Sequence, residues 1–199
     1  MKLVVGLGNP GRQYASTRHN VGFRAAERFA RAHAIPLDSV RFGGRFGRGR
    51  ASRDDGDGID VGVLLPQTYM NRSGEVVAEA LRYAPVDDPT EDVIVVLDDV
   101  DLPFGRLRLR PSGRSAGHRG LANVIDHLGT DRFPRVRVGI GRPVTDIETT
   151  EYVLQSFSDS EDKQIDRILG DVVSALDGIL FDGIVAAMNR FNRTDFASG

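Results

Sequence analysis

The sequence predicts an α/β fold: one domain in which a mixed, mostly parallel twisted sheet is flanked by helices on both faces, a three-layer αβα arrangement. Three observations predict it. Short apolar runs of strand length alternate along the whole chain with segments of helical periodicity. Glycine, proline, asparagine or aspartate stands where most of these runs end. The chain has 199 residues and no cysteine, a length that buries a sufficient core without disulfides or a structural metal.

Lys2 to Leu7 is continuously apolar up to its glycines and reads as a buried strand. A long polar loop follows, then a helix over Val21 to Ala34 with Phe23, Ala26, Phe29 and Ala30 on one face. Phe42 to Ser52 is Gly/Arg-rich with weak alternation, and Ile59 to Leu65 is β-rich. The acidic Asp54 to Asp57 between them suits a hairpin turn. Ser73 is placed to cap a helix reaching about Tyr83, with Val76, Val77, Ala80 and Leu81 inward. Val93 to Leu97 is the most hydrophobic run and reads as a central strand closed by Asp98 and Asp99. Arg106 to Arg110 alternates Arg with Leu, as a half-exposed strand does. His118 to Leu128 is amphipathic and ends at Gly129, and Arg135 to Ile140 alternates again. Ser158 with Glu161 forms the S-x-x-E signature of a capping box. Helical spacing then runs to about Asn192, with a break near Asp182 and Gly183.

The net charge of −2 conceals a block pattern. Residues 1–50 carry 10 basic and 2 acidic side chains and residues 101–143 carry 9 and 3, whereas 51–100 carry 3 and 12 and 144–199 carry 4 and 11. Of the 26 basic residues 24 are arginine, the side chain suited to bidentate phosphate contacts, so a basic face for a phosphate-bearing partner is compatible with the near-neutral total. The absence of cysteine excludes thiol catalysis and Cys-ligated zinc or iron–sulfur centres. The start, MKLVVGLGNPG, has an apolar run too short for a signal peptide or membrane span, so a cytoplasmic location is expected.

Gly6 to Gly11 fits the dinucleotide fingerprint G-x-G-x-x-G, but helical periodicity waits until Val21 and no acidic residue closes a second strand at the required distance. What remains is a sharply bending loop that presents Asn9 at a strand's C-terminal end, where open α/β sheets place ligands. Gly113 to Gly117 fits the nucleophile elbow G-x-S-x-G around Ser115, yet Pro111 and Ser112 separate it from the preceding strand, which favours a simple loop. Of the four histidines, His19, His33, His118 and His127, His19 stands in the polar run Thr17-Arg18-His19-Asn20 before a helix. It is either a solvated helix-start residue or a general base. Asp98, Asp99 and Asp101 gather where the strongest strand ends. They either offer carboxylates to a divalent metal or supply one that orients His19.

Four ordered segments carry a resemblance over essentially the whole chain: VVGLGNPGRQYASTRHNVGF, LLPQTYMNRSGE, VLDDVDLPFGRLRLR and RVRVGIGRP. With them the sequence resembles the bacterial peptidyl-tRNA hydrolase family. The resemblance implies one domain over residues 1–199 that hydrolyses the ester between a peptide and the terminal ribose of tRNA, recycling tRNA from aborted translation. It implies no metal or other cofactor, no membrane, peptidyl-tRNA as the only partner, and a monomer. Carried over by position, His19 is the general base and Asp98 holds its imidazole. Asn9 and Asn71 orient the ester end, Tyr14 and Met70 line the cleft, and Arg108, Arg110 and Arg137 contact tRNA phosphates. The family usually reads Gly-His-Asn-Gly-Leu where this chain has Gly117-His118-Arg119-Gly120-Leu121. Arg119 is therefore expected to bind substrate as a charged donor that cannot accept a hydrogen bond. Two further expectations are a non-catalytic RNA-binding relative of this fold and a serine esterase built on Ser115.

Overall fold

β1 (Lys2–Gly6) is apolar on both faces because it lies inside a seven-stranded sheet, between β4 (Ile59–Pro66) and β5 (Val93–Asp99). This is a computed structural model, and it describes residues 1–53, 56, 58–143 and 146–193. The sheet also contains β2 (Ser39–Arg41), β3 (Gly44–Ala51), β6 (Leu107–Arg110) and β7 (Arg135–Gly139), in the order β2-β3-β4-β1-β5-β7-β6. The four central strands β4, β1, β5 and β7 are mutually parallel, and β3 and β6 run antiparallel to their neighbours.

Side chains alternate across the sheet with the two-residue period of a strand. Val4, Ile94 and Val96 face a core shared with α1 (Val21–Ala32), α6 (Asp159–Asp182) and α7 (Ile184–Phe191). Leu3, Val5 and Leu97 face the opposite core, shared with α2 (Ser73–Tyr83) and α4 (Arg119–Leu128). The expected three-layer α/β architecture is what the chain forms. Two short helices, α3 (Pro89–Asp92) and α5 (Thr149–Tyr152), complete the elements.

Two expectations need correction. Ser73 is the first residue of α2 and not its cap: its hydroxyl donates to the Met70 carbonyl at 2.9 Å, because a 3-10 turn over Met70–Arg72 runs directly into the helix. The helix read up to Ala34 ends at Ala32, and Ala34 takes a positive φ of 52°. The turn expected at Asp54 to Asp57 falls largely outside the described residues, although the β3–β4 antiparallel pair it would join is formed, with Ala51 opposite Ile59.

The close approach of α1 to the sheet positions the loop before it. A Cβ on Gly22 would lie 2.5 Å from the carbonyl oxygens of Leu7 and Val96, so only glycine lets the helix start sit on the ends of β1 and β5. Ser158 and Glu161 form the expected capping box at the start of α6, and Gly183, with φ 83°, separates α6 from α7.

Candidate active site

His19 belongs to a 3-10 turn, Arg18–Asn20, that feeds α1. The turn is held by its neighbours on both sides. The His19 backbone N–H donates to the Val153 carbonyl at 2.8 Å. Arg18 donates to the Ser156 carbonyl at 2.6 Å and to Glu161 at 2.7 Å, and its guanidinium stacks 4.4 Å from the Tyr152 ring centroid. Asn20 fixes the other flank: its Oδ1 accepts from the Asn9 backbone N–H at 2.8 Å and its Nδ2 donates to the Asn9 carbonyl at 2.9 Å.

Asp98, at the end of β5, is 3% exposed and lies between two imidazoles. His19 Nδ1 is 2.8 Å and 3.0 Å from its two carboxylate oxygens, and His118 Nε2 is 3.0 Å from Oδ1. Burial opposes ionisation of Asp98, but the two imidazoles outweigh it through charge and hydrogen bonding and hold the carboxyl well below the usual carboxylate range. An ionised carboxylate only accepts, so Nδ1–H of His19 donates, and Nε2 is left as the basic nitrogen. The tautomer of His118 is set twice. Its Nδ1 accepts the Leu121 backbone N–H at 3.1 Å, capping α4, which leaves Nε2–H to face Asp98.

The ligand atoms of His19, Asp98 and His118 lie within 4.8 Å of one another, close enough for a metal ion. The contacts formed are hydrogen bonds from the two ring N–H groups to the carboxylate. Asp98, Asp99 and Asp101 do not form a group of metal-ligand spacing among the described residues. Asp99 sits 2.8 Å from Arg137 Nε and Asp101 2.7 Å from Arg142. The Arg137–Asp99 contact is an ion pair by distance, with the Nε–H pointing away from hydrogen-bond geometry.

Two adjoining cavities meet at His19. One, of about 270 Å³, is lined by Asn9, Tyr14, His19, Met70, Asn71 and Arg119 together with Tyr69, Thr150, Val153 and Leu154. It collects six of the residues expected from the sequence. The other, of about 410 Å³, is lined by His19, Asp98, Asp99, His118, Arg119 and Arg137, among others. Asn9 Oδ1 accepts the Met70 backbone N–H at 2.8 Å, which fixes the amide orientation and leaves the Nδ2 donors for the cleft. Asn71 and Arg119 are exposed at its rim and Tyr14 is half-buried. Gly120 lies against Met70, where an added Cβ would overlap the sulfur, so the α4 start is packed directly on the cleft wall.

Arg108 and Arg110 are exposed on β6, with Arg108 directly opposite Arg137 of β7. Arg137 differs from them: it is 13% exposed and inside the cleft. Ser115 lines a separate cavity with Arg114, Ala122 and Asp126 that neither His19 nor His118 borders, which removes the geometric basis for a serine esterase. Sequence reasoning missed His118 and Asn20 and, of the cleft lining, Tyr69, Thr150, Val153 and Leu154. His118 carried the one available signal, a histidine at a helix start after a glycine-rich loop.

A three-layer α/β scaffold that brings a carboxylate-oriented histidine next to a fixed asparagine amide at its strand ends has the arrangement a general-base hydrolase needs. Residues 3–198 match the family model described as Peptidyl-tRNA hydrolase. The chain is 46% identical over 196 residues to the peptidyl-tRNA hydrolase of Syntrophotalea carbinolica, covering 98% of this chain and 99% of the relative. It is 42% identical over 192 residues to that of Bacillus subtilis, covering 96% and 98%. The crystal structure of peptidyl-tRNA hydrolase from Acinetobacter baumannii superposes with a TM-score of 0.85 at 36% identity, over 97% of this chain and 95% of that one. The chain belongs to the peptidyl-tRNA hydrolase family.

Proposed function

We propose that this chain, as one domain over residues 1–199, hydrolyses the ester joining a peptide or N-blocked amino acid to the terminal ribose of tRNA, with His19 as general base. The observation that carries the reading is the Asp98 carboxylate bound at 2.8 Å to His19 Nδ1, beneath the cleft that Asn9, Met70 and Asn71 line. His19 Nε2 takes a proton from water as the water oxygen bonds to the ester carbonyl carbon. The Nδ2 groups of Asn9 and Asn71 and the Arg119 guanidinium are donors placed to bind the carbonyl and the oxyanion it becomes. The tetrahedral species then collapses: the bond from the carbonyl carbon to the ribose oxygen breaks, and the His19 imidazolium returns its proton to that oxygen. Tyr14 and Met70 wall the cleft, and Arg108, Arg110 and Arg137 contact tRNA phosphates. The chemistry needs no metal or cofactor. Among the described residues no helix is long and apolar enough to cross a membrane. The reading takes the protein as a monomer acting in the cytoplasm on peptidyl-tRNA as its only partner.

The test is hydrolysis of an N-blocked aminoacyl-tRNA against its free-amine counterpart, with wild type and His19→Ala side by side. The blocked ester is expected to be preferred, and the variant to lose roughly 10²- to 10⁴-fold in single-turnover rate. Salt-sensitive tRNA binding without turnover in the wild type would instead favour the non-catalytic RNA-binding relative.

A further inference from the structure

Another cavity, of about 320 Å³, shares Asn9 with the reaction cleft. Asn9 borders both, so the cavity adjoins the reaction cleft at the amide that the proposed mechanism sets on the ester carbonyl. Three of its lining residues are arginines. Arg45 is neutralised by Glu27 at 2.6 Å. Arg24 has a long, exposed contact of 3.5 Å to Asp162, and Arg12 is exposed with no ion pair among the described residues. The cavity therefore keeps the unpaired charge of Arg12 beside the loosely paired Arg24, over an apolar wall, Phe23, that suits the methylene stem of an acidic side chain.

The direction of the two substrate arms decides which anion it takes. Whereas Asn9 follows β1 on the other side of β5, Arg108 and Arg110, exposed and without an ion pair among the described residues, lie on β6 at the sheet edge beyond β5 and β7. If the tRNA lies there, the peptide must leave along the β1 and β4 strand ends, toward Arg12 and Arg24. We infer, on the basis of the ester-hydrolase reading above, that this cavity is a specificity subsite that binds a carboxylate side chain of the peptidyl moiety.

The experiment compares N-acetyl-Glu-Gly, N-acetyl-Gln-Gly and N-acetyl-Lys-Gly esters on one tRNA, with wild type, Arg12→Gln and Arg24→Gln. The Glu ester is expected to exceed the Gln ester in kcat/KM by about two- to fivefold, the scale of a partly exposed ion pair, with the Lys ester slowest. The Glu-to-Gln ratio should fall toward one in Arg12→Gln or Arg24→Gln. Equal rates for the Glu and Gln esters in the wild type overturn the proposal, as does a ratio that survives both substitutions. Substitutions that slow all three esters alike would mean that the cavity takes a tRNA phosphate, which also overturns it. Failure to cleave any of the three esters would refute the hydrolase reading itself and the subsite with it, an outcome distinct from cleavage without charge preference.

Discussion

One buried carboxylate serving two imidazoles makes Asp98 the residue on which the site's protonation state depends. With both ring N–H groups donating to it, Asp98 stays ionised, and His19 is held with its basic nitrogen free. Asp98→Asn removes the charge and can turn an N–H toward His19, which favours the wrong tautomer, so kcat is expected to fall by orders of magnitude in the same assay. The same group sets a dependence of stability on acid. Its carboxyl in the fold is depressed below the unfolded value of about 4, so in the acid window the unfolded chain binds more protons than the folded one. The stabilisation is therefore complete above about pH 4 and is lost as pH falls toward the folded value. Urea midpoints measured downward from pH 5 should drop more steeply for wild type than for Asp98→Asn. Parallel curves would show that Asp98 is not held ionised by its neighbours.

At the scale of elements, the site exists because α1 begins almost in contact with β1 and β5. Gly22→Ala places a methyl 2.5 Å from two strand carbonyls, and backbone cannot yield as a flexible side chain would. A loss of about 1–3 kcal/mol is expected from denaturant unfolding, with reduced turnover because the His19 turn shifts with the helix. A stability within a few tenths of a kcal/mol of wild type would contradict this close packing. The long elements were legible because their periodicities are strong. The runs at Val93 and Val136 and the amphipathic helix after Ser158 need only local pattern. β2, α3 and α5 were not, since these short segments lack the apolar alternation that made the equally short β6 legible. At the site, His19 and Asp98 could be paired as a possibility because strand ends meet at one edge, although 79 residues separate them. The second imidazole could not. That His118 caps α4 with one nitrogen and reaches Asp98 with the other depends on the height of α4 against β5, which no local pattern encodes. Asn20 likewise reads as an ordinary polar residue until the Asn9 loop folds back on it.

Over the whole molecule, the alternating charge blocks resolve into two different things. Much of the first basic block is spent internally on the acidic blocks: Arg18, Arg24 and Arg28 pair with Glu161, Asp162 and Asp166, Arg48 with Asp60, and His33 contacts Asp177. The pairs of Arg18, Arg24, Arg28 and His33 tie α1 along its length to α6, and Arg48–Asp60 joins β3 to β4, so none of these groups is free for a polyanion. The block over 101–143 behaves otherwise, since Arg108, Arg110, Arg114, Arg119 and Arg132 are exposed and have no ion pair among the described residues. A polyanion approaching the cleft would meet this side, and Arg137, already paired with Asp99, would have to exchange one anion for another. Phosphate contacts release condensed counterions, so tRNA binding should weaken linearly in log–log plots against salt. Arg108→Gln and Arg110→Gln should each flatten that slope by about 1 and weaken binding of all tRNAs alike, whereas Arg137→Gln should change it less because the free guanidinium is already neutralised. Arg48→Gln, on the opposite sheet edge and paired with Asp60, serves as the control for total charge. A slope reduced as much by Arg48→Gln as by Arg108→Gln would place the effect in the net charge of the protein and remove the β6 edge as the tRNA-facing surface.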